Sequence, residues 1–221
     1  MYKRQVLASK NIIAALGSNQ SIRNTQDHVS HIRQSLYKNL SKSEIQHVSL
    51  LTQLKACLPS NAVIVADICQ LSYTGAFAYP VEQPGKWHCP NGYCALGCGL
   101  PVAIGGTLGI KDIPVVVLVG DGGFMFTAQE LITASELNLS LPIIVWNNHG
   151  LKQIKDDMEM SEIPAIGVDG NNPDFLLLAQ ACGCDSIQPT TKNEFSSAVT
   201  QALNRENPTV IEVIEGSPWL L

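Results

Sequence analysis

The chain has 221 residues, 45% of them apolar, enough to bury one substantial core. Its formal net charge of −5 argues against a general nucleic-acid surface. No apolar run reaches the roughly 18–20 residues that a membrane-spanning helix requires.

In chain order, the opening MYKRQVLASK lacks the apolar core of a signal peptide. NIIAALG (11–17) reads as a strand left over from a preceding domain. SIRNTQDHVSHIRQSLYKNLSKSEIQ (21–46) is polar and helix-prone, with few core positions; His28 and His31 read as solvated. Residues 1–45 are therefore expected to be a remnant of a preceding domain or a linker, and 46–221 the main domain. VIVA predicts a strand over 62–66. Residues 76–93, with Pro80, Pro84, Pro90 and several aromatics, read as a shaped active-site loop. A helix of small residues is expected over 97–109, a strand over 114–119, a helix near 126–138 and a strand over 142–146. Helices follow at 150–158 and 173–183, the latter with Pro173 near its first turn and Asp174 suited to its positive end. A short strand near 185–188, a helix over 192–204 and TVIEVIE complete the alternation. Strands and helices in this order imply an α/β fold with a doubly wound parallel sheet.

Two polar clusters fall at the carboxyl ends of successive apolar strands. VVVLVGDGG ends in Gly120-Asp121-Gly122-Gly123, and LPIIVWNNHG ends in Asn147-Asn148-His149-Gly150. In an open α/β sheet, ligands bind at that edge. A hard divalent cation such as Mg²⁺ takes oxygen ligands and shares them with phosphate. Asp121 offers an anionic oxygen, the Asn148 amide a neutral one and the Gly150 carbonyl a third. Gly122 and Gly123 let backbone N–H groups approach phosphate oxygens. Gly-Asp-Gly alone also occurs in plain turns; its pairing with Asn-Asn at the next strand end is far more specific. The pattern reads as a site for a diphosphate held through a metal. No G-x-x-x-x-G-K-[ST] or early G-x-G-x-x-G supports a generic nucleotide site.

The remaining candidates carry less. Seven cysteines, an odd number without a CxxC pair, read as reduced, mostly buried thiols. Glu130 reads as a structural hydrogen-bonding group. His149 and His88 either touch a ligand or fill variable positions.

Over roughly 50–215 the chain resembles the diphosphate-binding half of the thiamine diphosphate (ThDP) enzymes of the acetolactate synthase and benzoylformate decarboxylase group. That resemblance implies Mg²⁺ ligation by Asp121, Asn148 and the Gly150 carbonyl. GYCALGCGLPVAIGG is similar to the family's G-x-G-x-[LM]-G-x-x-L-P-A-A-I-G stretch. This makes Leu96 the wedge that bends the cofactor and places Cys94 where a backbone carbonyl meets the cofactor's 4′-amino group. The family usually has glycine at that carbonyl. VIVADICQLSY is similar to an earlier diphosphate loop and implies contacts from Cys69 and Gln70, beside Gly120, Gly122, Gly123 and Asn148. GLKQIKDDM resembles the GYGEIKRYM-like stretch of decarboxylases acting on guanidino or other polar 2-oxo acids, with Leu151 and Lys152 in place of Tyr-Gly. Leu96, where acetolactate synthases commonly carry methionine, tilts the reading toward a decarboxylase.

The implied activity is ThDP- and Mg²⁺-dependent decarboxylation, or carboligation, of a 2-oxo acid in the cytoplasm. Acetolactate synthase-type carboligation and ThDP binding without turnover are the alternatives. In the family the glutamate that activates the pyrimidine lies in another domain, and no catalytic residue is assigned to this chain. A pyrimidine-binding domain, in the same full-length chain or a separate subunit, and a homo-oligomer are the implied partners. The opening YKRQ favours truncation of a longer gene over a subunit of a split enzyme.

Overall fold

The structure, a computed structural model, describes residues 8–14 and 25–221. The chain divides into two compact units, Met1–Ser41 and Lys42–Leu221. The described part of the first unit is helical, as α1 (8–14) and α2 (Thr25–Lys38). The strand expected over 11–17 is thus helical over 11–14, and 15–17 lie outside the described residues, as do YKRQ and Ser21–Asn24. A helix satisfies its own backbone groups, whereas a strand needs a partner strand to do so.

The second unit is built on six parallel strands. They are β1 (Val63–Ala66), β2 (Trp87–His88), β3 (Val115–Gly120), β4 (Pro142–Asn147), β5 (Asp185–Ile187) and β6 (Thr209–Ile214), in the order β2-β1-β3-β4-β6-β5. Every pairing is parallel. The helices are α3 (Lys42–Cys57), α4 (Gln70–Ala78), α5 (Gly99–Gly109), α6 (Asp121–Thr127), α7 (Glu130–Glu136), α8 (Lys152–Met160), α9 (Phe175–Ala181) and α10 (Lys192–Ala202).

The near-continuous apolar runs of β1, β3 and β4 are what a sheet covered on both faces demands. Alternate residues serve opposite cores. Val63, Val65, Val117, Val119, Ile143 and Val145 pack with α5, α6, α7 and α9. Ile64, Ala66, Val116, Leu118, Ile144 and Trp146 pack with α3, α4 and α10. Chain order runs outward from β1 to β2 on one side and from β3 to β4 on the other. The strand order therefore reverses between β1 and β3, and the loops after these two strands diverge into a crevice at their carboxyl ends.

Several elements differ from the sequence expectation. Trp87–His88, within the expected loop, adds an edge strand to β1, with the Trp87 ring seated over Gly75. The expected helix over 126–138 is two helices, and the first begins at Asp121 inside the glycine turn. Gln70 opens α4 where a loop was read. Helix α3 crosses the expected boundary at 45/46, and its Leu50, Leu51 and Leu54 are core residues.

Helix α3 also buries an imidazole. The Nδ1 of His47 lies 2.8 Å from Thr74 Oγ1, and its ring meets Trp146 edge-on at 4.7 Å. Nε2 is buried without a partner among the described residues. Burial pushes the imidazole from its ordinary 6.5 down to about 4, against a smaller upward pull from Glu44. The folded form therefore holds His47 neutral, and the unfolded chain takes up its proton first. This contribution to stability is complete above about pH 6.5 and is lost as pH falls through that value toward 4. Between pH 7 and 4.5 the loss from this group is roughly 2 kcal/mol. His47→Gln should flatten the acid limb of stability by about that amount in urea unfolding at the two pH values.

Candidate functional site

The site begins with the Asp121 carboxylate, which is 1% exposed at the end of β3. Its Oδ2 accepts hydrogen bonds from the Gly150 N–H at 2.8 Å and the Asn172 amide at 2.6 Å. That leaves Oδ1 facing Asn148. Asn148 Oδ1 lies 3.2 Å from Asp121 Oδ1 and 3.0 Å from the Gly150 carbonyl, while its Nδ2 donates to Gln70 Oε1 at 3.3 Å. Without a cation the amide would be better turned over, donating to both oxygens. With a cation the oxygens belong where they are: adjacent ligands of an octahedral ion at about 2.1 Å lie about 3 Å apart. One carboxylate, one amide and one backbone carbonyl make an all-oxygen set suited to Mg²⁺, not to zinc.

A buried polar chain holds this set. Glu212, on β6, accepts from Asn147 Nδ2 at 2.7 Å. Asn147 Oδ1 accepts from the His149 N–H and from Asn172 Nδ2, both at 3.0 Å. Asn172 in turn reaches Asp121. The first asparagine of the pair is thus a strut, and the second turns its amide to Asp121. His149 at φ 64° and Gly150 at φ 142° turn the chain, and Gly150 bridges to Asp169. A β-carbon on Gly150 would collide with the Val168 carbonyl, so this position requires glycine.

A second carboxylate organises the facing loop. Asp67, fully buried after β1, accepts N–H bonds from Ile68 at 2.7 Å, Gly97 at 3.1 Å and Gly99 at 2.6 Å. Burial pushes its carboxyl up, and these N–H groups pull it back. The bonds staple the loop carrying Cys94 and Leu96 to the sheet. Cys94 adopts φ 57°, the left-handed region that glycine favours.

Between the two loops lies a cavity of ≈ 300 Å³ at the reversal of strand order. Cys69, Gln70, Cys94, Leu96, Gly120, Asp121, Gly122, Gly123, Asn148 and Gly150 all line it, so every residue singled out from the sequence as a ligand faces one space. The first turn of α4 meets the Gly120–Gly123 turn there, which brings unpaired helix-start N–H groups to the same place. Burial pushes the Cys69 thiol up to about 11, so it offers the cavity a neutral wall. His149 and His88 line other cavities. Glu130 accepts a hydrogen bond from Thr133. All seven cysteines are free.

Asp67, Asn172 and Glu212 were not singled out from the sequence. The signal for two of them was present: a charge directly after VIVA, and a charge inside TVIEVIE. Tyr73, Gln153, Ile154 and Asp157, which also line the cavity, fall inside the stretches VIVADICQLSY and GLKQIKDDM but were given no individual role.

Residues 67–213 match the C-terminal TPP-binding domain of thiamine pyrophosphate enzymes. The chain belongs to this family. Its cofactor, thiamine pyrophosphate, is the ThDP of the sequence reading. The chain is 41% identical over 186 residues to the Pseudomonas aeruginosa "Probable 2-ketoarginine decarboxylase", covering 84% of this chain and 33% of that protein. It is 29% identical over 171 residues to the large subunit of Escherichia coli acetolactate synthase isozyme 1, covering 76% and 30%. Among solved structures, the thiamine diphosphate-dependent 4-hydroxybenzoylformate decarboxylase of Rhodococcus jostii superposes with a TM-score of 0.71 at 27% identity, over 76% of this chain and 32% of that one. The chain thus spans about a third of the length of these relatives.

Removing the Asp67 carboxylate leaves three backbone N–H groups without their acceptor. Asp67→Ala should destabilise the fold by about 2–4 kcal/mol in urea unfolding, and Asp67→Asn by less because its carbonyl oxygen still accepts.

Proposed function

We propose that this chain supplies the diphosphate- and metal-holding half of a ThDP- and Mg²⁺-dependent enzyme that decarboxylates a 2-oxo acid. The Asn148 side-chain oxygen, 3.2 Å from Asp121 Oδ1 and 3.0 Å from the Gly150 carbonyl beside a glycine turn, carries this reading. Asp121, Asn148 and Gly150 hold Mg²⁺. Gly120, Gly122, Gly123, Cys69 and Gln70 meet the diphosphate through backbone and side-chain donors. Leu96 sets the bend of the cofactor, and the Cys94 carbonyl receives its amino group. The bound cofactor supplies the electron sink for the charge left as CO₂ departs. The protein's part is to orient that group, neutralise its phosphates and keep water from its reacting face.

Decarboxylation is favoured over carboligation by Leu96 and by the 41% identity to a probable 2-ketoarginine decarboxylase. Carboligation of the acetolactate synthase type is the second reading, supported by the 29% relative; the product, an aldehyde or a 2-hydroxy ketone, separates the two. Residues 1–45 form the tail of a preceding domain or a linker in this proposal. A pyrimidine-binding domain completes the site, within a homo-oligomer. Seven free thiols favour a reducing compartment such as the cytoplasm. Among the described residues no helix is long and apolar enough to cross a membrane.

Calorimetric titration with ThDP tests the core of this reading. Binding should require Mg²⁺, disappear with chelator and weaken at least about 100-fold in Asp121→Ala, which loses a charged ligand. Binding indifferent to metal and to the substitution would overturn it. Release of CO₂ on supplying the pyrimidine-binding half separates an enzyme from a ThDP-binding protein without turnover.

A further inference from the structure

The cavity wall beyond the metal loop is the face of α8 that carries Lys152, Gln153, Ile154 and Asp157. Its charges are unevenly compensated. Lys152 Nζ sits 3.5 Å from Asp156 Oδ1, and Asp156 Oδ2 accepts from Gln70 Nε2 at 3.0 Å, so that lysine is already matched. Asp157 is different. Its Oδ1 accepts from Gln153 Nε2 at 3.0 Å, a neutral donor that fixes the carboxylate's direction. Among the described residues Asp157 makes no ion pair, and its Oδ2 accepts no hydrogen bond. Both Asp157 and the Tyr73 ring line the cavity while remaining exposed, which places them at its mouth.

A carboxylate in that position is costly for most substrates of this class. A 2-oxo acid brings its own negative charge, and a second carboxylate nearby repels it. A neutral tail gains nothing in return, and an acidic tail is repelled again. A cationic tail reverses the balance: it offers charged donors to the free Oδ2, and the Tyr73 ring face offers a second contact.

We propose that Asp157 is a specificity-determining residue that reads a cationic group at the far end of the 2-oxo acid's side chain. This rests on the 2-oxo acid reading above and narrows it to substrates with a guanidinium or ammonium tail. Asp121 and its oxygen set hold the cofactor end; Asp157 holds the tail end; Gln153 positions Asp157.

The test uses the holoenzyme, assembled with its pyrimidine-binding half, Mg²⁺ and ThDP. CO₂ release is measured from 5-guanidino-2-oxopentanoate and from 2-oxohexanoate, whose tail is uncharged. The wild-type protein should favour the guanidino acid in kcat/KM. Asp157→Asn, which preserves the side-chain shape, should lower that value roughly 10- to 100-fold, the range expected for one charge-assisted contact, and leave the value for 2-oxohexanoate undiminished or raised, because a repelling charge is gone. A wild-type preference for the acid with the uncharged tail, or an equal loss on both substrates, overturns the assignment of Asp157 and leaves the decarboxylase reading intact. A protein that releases CO₂ from no 2-oxo acid removes that reading instead. In that case binding of the unreactive 5-guanidinopentanoate to the Mg²⁺–ThDP complex decides the role of Asp157 independently. Weaker binding in Asp157→Asn supports it, and equal binding overturns it.

Discussion

The two oxygens of Asp121 are used differently, and the site depends on that division. One is committed inward, to the Gly150 N–H and the Asn172 amide, which fixes the end of β4 against the end of β3. The other is left facing the Asn148 side-chain amide, which also reaches the Gly150 carbonyl. In the free protein the Asn148 amide can turn to donate to both oxygens, and a divalent cation takes the place of that donor, with the amide oxygen turned inward. The polar chain through Asn172, Asn147 and Glu212 holds Asp121 and the turn after β4 in place. A binding site assembled in advance spends less of its ligand's affinity on ordering the protein.

The parallel sheet supplies the rigidity behind this. In register, Gly120 lies opposite Trp146, so the Gly-Asp-Gly turn and the Asn-Asn turn leave the sheet side by side. The parallel pairing of β3 with β4 thus also sets the separation of the metal-facing groups. The reversal of strand order between β1 and β3 then opens room for a ligand beside them.

Much of this was legible in the sequence because it is local. Valine-rich runs followed by glycine or amide clusters declare buried strands and their functional ends within a dozen residues. What escaped reading depends on partners far away in the chain. Trp87–His88 is a strand only because β1 offers it an edge. Helix α3, judged polar at its start, is held by Leu50, Leu51 and Leu54 against residues that come much later. The part of NIIAALG that is described, 11–14, is helical despite its two β-branched isoleucines. Glu212 looked like an ordinary charge in a final strand until its amide partner, 65 positions earlier, was in view. Asp67 was within a stretch read for its neighbours Cys69 and Gln70, and its own role appears only when the chain returns at Gly97 and Gly99.

That return has a consequence for how this segment can change. A β-carbon on Gly99 would stand 3.0 Å from Asp67 Oδ2, and one on Gly123 would stand 3.1 Å from Oδ1. The carboxylate fills its cradle so closely that glutamate, one methylene longer, has nowhere to go without moving β1 or α5. Asp67, Gly99 and Gly123 therefore constrain one another from three places, the end of β1 and the first turns of α5 and α6. A graft of the Leu96 loop into another scaffold keeps its shape only if the acid and both glycines travel with it.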